Sequence, residues 1–98
     1  MSNAAVEYGL LLKKFLDGAI SVDEFRVTYF DRFKNEGRLN EPLFNLLDEL
    51  FGDVDSFTTD QELLDENPEF YLDEKGLREK VQNVANRLSV LIYFENSK

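Results

Sequence analysis

The 98-residue chain contains no cysteine, no histidine and no tryptophan. Without cysteine and histidine it has no disulfides, no thiolate or imidazole metal ligands, no cysteine or serine–histidine nucleophile and no histidine pH switch. No apolar run approaches the roughly 18 residues of a membrane span, and no signal peptide is visible. We therefore expect a cytoplasmic protein with no cofactor, no metal site and no membrane partner.

The composition is that of a folded domain, since 43 % of the residues are hydrophobic and 13 % are aromatic. The length suits one domain, and no linker or internal repeat divides the chain. We predict a single domain over residues 1–98, with a flexible start over residues 1–4. Apolar residues recur at three- and four-residue steps in four stretches, and none alternates as a strand would, which predicts an all-α fold.

Local signals predict where the four helices begin and end. Gly18 suits the end of the first helix, because glycine readily adopts a positive φ. A capping box over residues 21–24 opens the second helix, which is predicted to run to Gly37. Asn40 is predicted to cap the third helix, and Asp73 the fourth.

The longest connection lies between the third and fourth helices. The apolar stripe of the third helix extends to Phe57, and periodicity is weak over residues 58–72, called the crossover below, where Asn67 and Pro68 signal a turn. One short helical turn over residues 61–64 is predicted there. Short links between the first three helices favour antiparallel neighbours. The predicted fold is an antiparallel four-helix bundle with a longer acidic crossover before the last helix.

Most aromatic residues fall at helical spacing and are predicted to fill the core. They are Phe25, Phe30, Phe33, Phe44, Phe51 and Phe57. Phe70 and Tyr71 lie outside any stripe and either anchor the crossover onto the bundle, which we favour, or act as interface hot spots. Ile92, Tyr93 and Phe94 either pack internally or form a dimer patch, so the oligomeric state stays open, with a monomer favoured.

The net charge of −9 is concentrated in one stretch. Residues 39–74 contain twelve acidic residues and no Lys or Arg, whereas the other 62 residues carry a net charge of +3. A solvated acidic face is the commoner explanation of such a run. However, its self-repulsion opposes folding, and the third helix ends in Asp53 and Asp55, where its dipole favours cations. The run therefore favours an electropositive partner and disfavours direct binding to nucleic acid.

No reaction can be assigned to these carboxylates. Asp53 and Asp55 start like a calcium-binding EF-hand loop, but Phe57, Thr58 and Leu64 occupy positions that need oxygen ligands or glycine. No pair among the 20 acids stands out for acid–base catalysis, and a bundle of this size has little room for a substrate cleft. We expect no enzymatic activity.

Three segments carry a resemblance to a known family. Residues 15–25 read FLDGAISVDEF, residues 45–51 read NLLDELF and are followed by Asp55 and Asp60, and residues 71–77 read YLDEKGL. In this order and spacing the chain resembles, over residues 8–88, the colicin D immunity protein family. That family includes immunity proteins of contact-dependent growth inhibition systems.

The resemblance implies an immunity protein that binds a cognate toxin domain, typically a tRNA-cleaving ribonuclease, and covers its positively charged active-site cleft. It also implies that acids at the end of the third helix and in the following loop mimic the RNA, a role that falls on Asp55 and Asp60. We extend the candidate toxin-binding surface to neighbours in the acidic run. These are Asp53, Glu62, Asp65, Glu66, Glu69 and Tyr71.

Two other functions remain open at this point. The alternative hypothesis is a general acidic helical adaptor that regulates a basic, nucleic-acid-binding partner through the same acidic run. A small carboxylate enzyme or metal binder is the third. The position of the gene beside a toxin gene would favour an immunity protein over an adaptor.

Overall fold

The computed structural model describes residues 4–96, which form four long α-helices and one short one. α1 spans Ala4–Leu16, α2 Val22–Lys34, α3 Glu41–Asp55, α4 Gln61–Glu66 and α5 Glu74–Asn96. No β-strand occurs over residues 4–96, and the all-α class is confirmed. The long helices contact one another in a cycle, in which α1 and α3 each lie against both α2 and α5.

Four of the predicted helix boundaries are fixed by the residues that signalled them. Asp73 precedes α5, and its Oδ1 accepts from the N–H of Gly76 at 2.8 Å. Ser21 Oγ accepts a hydrogen bond from the N–H of Glu24 at 3.1 Å and caps α2. Asn40 Oδ1 accepts from the N–H of Leu43 at 3.0 Å and caps α3. Gly18 follows α1 with a φ of 80°, a conformation that glycine adopts without a steric penalty.

Two boundaries differ from the predictions. Ala4, assigned above to a flexible start, is the first residue of α1 and is buried, and residues 1–3 lie outside the described residues. α2 ends at Lys34, short of Gly37, and the side-chain amide of the following Asn35 donates to the carbonyl oxygen of Asp31 at 2.8 Å. Such a bond from a side chain to the backbone competes with a further helical turn.

The core is aromatic where α1 meets α2. The rings of Phe15 and Phe25 stack with centroids 4.4 Å apart, and Tyr8 meets Tyr29 edge to face at 5.8 Å. The hydroxyl of Tyr29 donates to the carbonyl oxygen of Leu47 at 2.6 Å, which ties α2 to α3. The end of α1 thus packs against the start of α2, and the middle of α1 packs against the middle of α2.

Phe44 departs from the predicted core. Its side chain is exposed, although its ring stacks on that of Phe33 at 5.7 Å. The other five predicted core phenylalanines are buried or packed against the core. Aliphatic side chains of α3 complete the core, and burial of each contributes about 1.5–3 kcal/mol. They are Leu43, Leu46, Leu47, Leu50 and Val54.

The end of α5 bears on the dimer patch considered above. Ile92 packs against the core and Tyr93 is exposed, whereas the side chain of Phe94 lies outside the described part of the structure. Over the described residues, no helix is both long enough and apolar enough to cross a membrane.

Candidate functional site

The crossover is closed at its base by two backbone hydrogen bonds. The N–H of Thr58 donates to the carbonyl oxygen of Leu72, and the N–H of Leu72 donates to that of Ser56, both at 2.9 Å. Phe57 is buried beside this bridge, and Leu72 packs against the core. α3 ends at Asp55, so Phe57 anchors the crossover instead of continuing the helical stripe. The crossover therefore leaves and re-enters the bundle at one point.

Helix α4 gives the crossover internal order. It extends beyond the single predicted turn and is capped by Asp60, whose Oδ1 accepts from the N–H of Glu62 at 2.9 Å and of Leu63 at 3.4 Å. Further along α4, Asp65 Oδ1 accepts from the side-chain amide of Gln61 at 2.9 Å. The carboxylates of Asp60 and Asp65 thus hold the shape of the crossover as well as contributing charge.

A cation from α2 lies at the C-terminal end of α3. Arg26 Nε donates to the carbonyl oxygen of Val54 at 3.4 Å, and its guanidinium carbon lies 5.1 Å from the ring centroid of Phe57 and 5.9 Å from that of Phe30. The last turn of α3 contains no basic residue of its own. Arg26 therefore supplies the positive charge that the helix dipole favours at this end, and it contacts the ring that anchors the crossover.

The acids on α3 that face α5 meet cations. Arg87 makes two hydrogen bonds to the carboxylate of Glu49, at 2.6 and 3.3 Å. Asp53 is half-buried, and its pKa is raised by burial and, to a smaller extent, by Glu49, while Lys80 lowers it. Asp53 is thus directed towards the bundle and its cations, and it is less open to a partner than the sequence suggested.

Four of the candidate acids have no such partner. Across residues 4–96, no side chain or N–H group donates a hydrogen bond to the carboxylates of Asp55, Glu62, Glu66 and Glu69, and none forms an ion pair with them. All four side chains are exposed. They are called the open acids below. Over the same residues, Glu41 and Asp48 on α3 are likewise exposed and unpaired, so the open acids are the uncompensated acids of the candidate site and not of the whole acidic run.

The two aromatic residues of the crossover behave differently from each other. Tyr71 is half-buried, whereas Phe70 is 65 % exposed and does not anchor the crossover onto the bundle. Phe70 lines a shallow depression together with Pro68, Glu66 and Glu69. The predicted site did not include Phe70. In the sequence, however, its place outside every apolar stripe and between acids already indicates an interface hot spot as its alternative role.

No group of three or more acidic side chains in the described part of the chain is placed to hold a metal ion. The site offers exposed carboxylates on an ordered crossover with an exposed aromatic ring beside them. Chemically, such a surface can accept hydrogen bonds from cationic groups and can pack against an apolar or guanidinium surface.

Comparison with known proteins finds a family match for this chain. A protein family described as bacterial self-protective colicin-like immunity matches residues 4–88. No curated protein and no solved structure shows significant similarity to the chain. The family match covers all of the first four helices, the crossover and most of α5.

Proposed function

This chain belongs to the bacterial self-protective colicin-like immunity family, whose members protect a cell against a toxin, and we propose that its toxin is a ribonuclease. The open acids and their neighbours on the crossover would occupy the basic cleft in which the toxin binds RNA, most simply tRNA. Inhibition is steric and electrostatic, takes place in the cytoplasm and involves no catalysis by this chain.

The observation that carries this proposal is the separation of charge within one folded chain. Residues 39–74 carry twelve acids, and outside them the chain is net positive. Within that run, Glu49 is paired and Asp53 is half-buried, whereas the open acids are exposed and unpaired. Uncompensated carboxylates repel one another, so their concentration in one ordered segment is best explained by a cationic partner.

The chemistry of an RNA-cleaving cleft fits such a surface. A cleft that binds RNA is lined with Lys and Arg, since it must neutralise phosphates. Carboxylates accept charge-assisted hydrogen bonds from the same groups, and arginine can bind a carboxylate through two parallel bonds. Opposite fields also accelerate encounter, which suits a protein that must intercept its toxin before RNA is cleaved.

A matched pair of variants tests the proposal in cells that express the cognate toxin domain, which we expect to be encoded beside this gene. The first variant neutralises the open acids as Asp55→Asn, Glu62→Gln, Glu66→Gln and Glu69→Gln. The control removes the same number of charges outside residues 39–74, from α2, the α2–α3 link and α5, as Asp23→Asn, Asp31→Asn, Glu36→Gln and Glu79→Gln. We expect the first variant to lose protection and the control to keep it, with both proteins equally helical by circular dichroism.

Both variants lose four negative charges and differ only in where those charges lie. Equal protection by the two variants would therefore contradict the proposal. A purified toxin domain that does not cleave RNA would contradict the ribonuclease assignment and leave the family membership intact. Inhibition of RNA cleavage in vitro by the wild-type chain at equimolar concentration is the positive result expected.

A further inference from the structure

We propose that Phe70 is the apolar anchor of the toxin interface and inserts into an apolar pocket of the toxin domain that is rimmed by Lys or Arg. This inference rests on the proposed function and adds to it a residue that determines how long the complex persists. The open acids then govern encounter, and Phe70 governs dissociation.

The first observation is the exposure of the ring. Phe70 is 65 % exposed, and no other phenylalanine whose side chain the structure describes is as accessible. Single exposed apolar residues are common on protein surfaces. Phe70 differs from such residues because it lies in the segment already argued to meet a partner, next to two open acids.

The second observation is that the ring is held in place before any partner binds. The N–H groups of Phe70 and Tyr71 both donate to the carbonyl oxygen of Asn67 at 3.0 Å, and the N–H of Asn67 donates to that of Leu63 at 2.9 Å. This turn fixes the segment to the end of α4. The ring also packs edge to face on the half-buried Tyr71, with centroids 4.9 Å apart and planes at 74°. A preorganised aromatic side chain loses little conformational entropy on binding, which favours its use as a hot spot.

The third observation is the chemistry around the ring. Glu66 and Glu69 line the same depression as Phe70. A single arginine of the partner can contact both kinds of group, since its guanidinium pairs with a carboxylate and stacks on an aromatic face. A pocket with an apolar floor and a cationic rim therefore complements this surface, and it would be continuous with the cleft that binds the open acids.

A second copy of this chain is a poorer occupant. A two-fold contact through Phe70 would bring Glu66 and Glu69 of both copies together. Like charges at an interface suppress association. The negative charge around Phe70 therefore favours a cationic partner over a second copy of this chain.

The test compares Phe70→Ala with Leu10→Ala, which truncates another exposed apolar side chain, on α1 and outside the crossover. Both are measured by surface plasmon resonance against the toxin domain encoded beside this gene, with its active site inactivated. We expect Phe70→Ala to raise the dissociation rate by about 10- to 100-fold, in the range of interface hot spots, and to leave the association rate within about twofold. Leu10→Ala should change neither rate, and Phe70→Leu should fall between wild type and Phe70→Ala.

The outcomes distinguish a failure of the role proposed for Phe70 from a failure of the proposed function. An unchanged dissociation rate for Phe70→Ala, with slower association when the open acids are neutralised, overturns the role of Phe70 and leaves the proposed function standing. If neither Phe70→Ala nor neutralisation of the open acids changes a rate, both the role of Phe70 and the proposed function are overturned. A dimer of the wild-type chain that Phe70→Ala dissociates in analytical ultracentrifugation also overturns the inference, because the ring would then serve a second copy.

Discussion

Two acids of α3, Glu49 and Asp53, belong to the same run of sequence as the acids of the crossover, but their surroundings differ. On α3, Glu49 is bound by Arg87, and Asp53 is half-buried near Lys80. In the crossover, Glu62, Glu66 and Glu69 are exposed and meet no cation. The difference teaches that a count of charges locates a site only coarsely, since packing of the bundle compensates some of the acids and leaves others open.

The same two regions differ in what stabilises them. α3 buries five aliphatic side chains, whereas α4 has no buried residue. The crossover keeps its shape through its cap, its turn and the two-bond bridge at its base, and these carry little apolar burial. We therefore expect stability to depend on the bundle and toxin binding to depend on the crossover.

Leu50→Ala has the largest expected effect on stability. Leu50 is fully buried, so its truncation removes apolar contacts and leaves a cavity, at a cost of about 2–5 kcal/mol in the free energy of unfolding. Leu64→Ala is the matched variant in α4, where the side chain is only half-buried, and about 1 kcal/mol or less is expected. Urea denaturation followed by circular dichroism measures both. Equal losses would show that the crossover is as much a part of the core as α3.

Substitution of Asp60 is expected to have an intermediate effect on stability, confined to the crossover. Asp60→Ala removes the N-cap of α4 at a cost of about 1 kcal/mol, whereas Asp60→Asn keeps the acceptor and removes only the charge. Hydrogen exchange at the amides of Glu62 and Leu63 should accelerate in Asp60→Ala and stay near wild type in Asp60→Asn. If Asp60→Asn binds the toxin as wild type does and Asp60→Ala does not, Asp60 acts through the shape of the crossover and not through its charge.

Asp53→Asn has the smallest expected effect and the opposite sign. Burial raises the pKa of Asp53 above its ordinary value of 3.8, so the folded state holds this proton more tightly than the unfolded state. The charged form therefore costs stability at neutral pH, and stability falls as pH rises from 3.8 through the raised pKa. We expect Asp53→Asn to raise the free energy of unfolding by about 0.5 kcal/mol or less at pH 7.

The control for this variant is Asp55→Asn, which removes a charge from the same end of α3 without relieving burial. Urea denaturation at pH 7 should show a smaller gain for Asp55→Asn than for Asp53→Asn. Below pH 3.8 the advantage of Asp53→Asn should vanish, because the wild-type carboxyl is then protonated in both states. A gain that persists there would show that burial of the charge is not its cause.

Local signals in the sequence predicted most of the fold. The caps formed by Ser21 and Asn40 and the turn at Gly18 involve only residues close by in the sequence. Their roles were predictable for that reason. The contact between Arg26 and the carbonyl of Val54 joins residues 28 apart, and no periodicity indicates it. Long-range contacts of this kind place a cation at the end of α3 and pair Glu49 with Arg87, 38 residues away.

The candidate site was predicted as a region but not residue by residue. Its position in the acidic run followed from charge alone. The cap formed by Asp60 is a contact to residues two and three positions along the chain, and an N-cap signal could have found it. The burial of Asp53 follows from the packing of α3 in the bundle. The exposure of Phe70 depends on how the crossover closes between Phe57 and Leu72. That closure is a tertiary hydrogen-bond pair, which spacing in the sequence does not specify.

The central claim is that the open acids guide this chain onto a cationic toxin surface. The most direct measurement is the association rate with the toxin domain encoded beside the gene, taken from low to high salt for the wild type, the variant that neutralises the open acids and its four-charge control. We expect association of the wild type and of the control to slow by at least about tenfold as salt rises, and association of the neutralised variant to be slow and nearly independent of salt. Parallel salt dependence in all three proteins would contradict this claim.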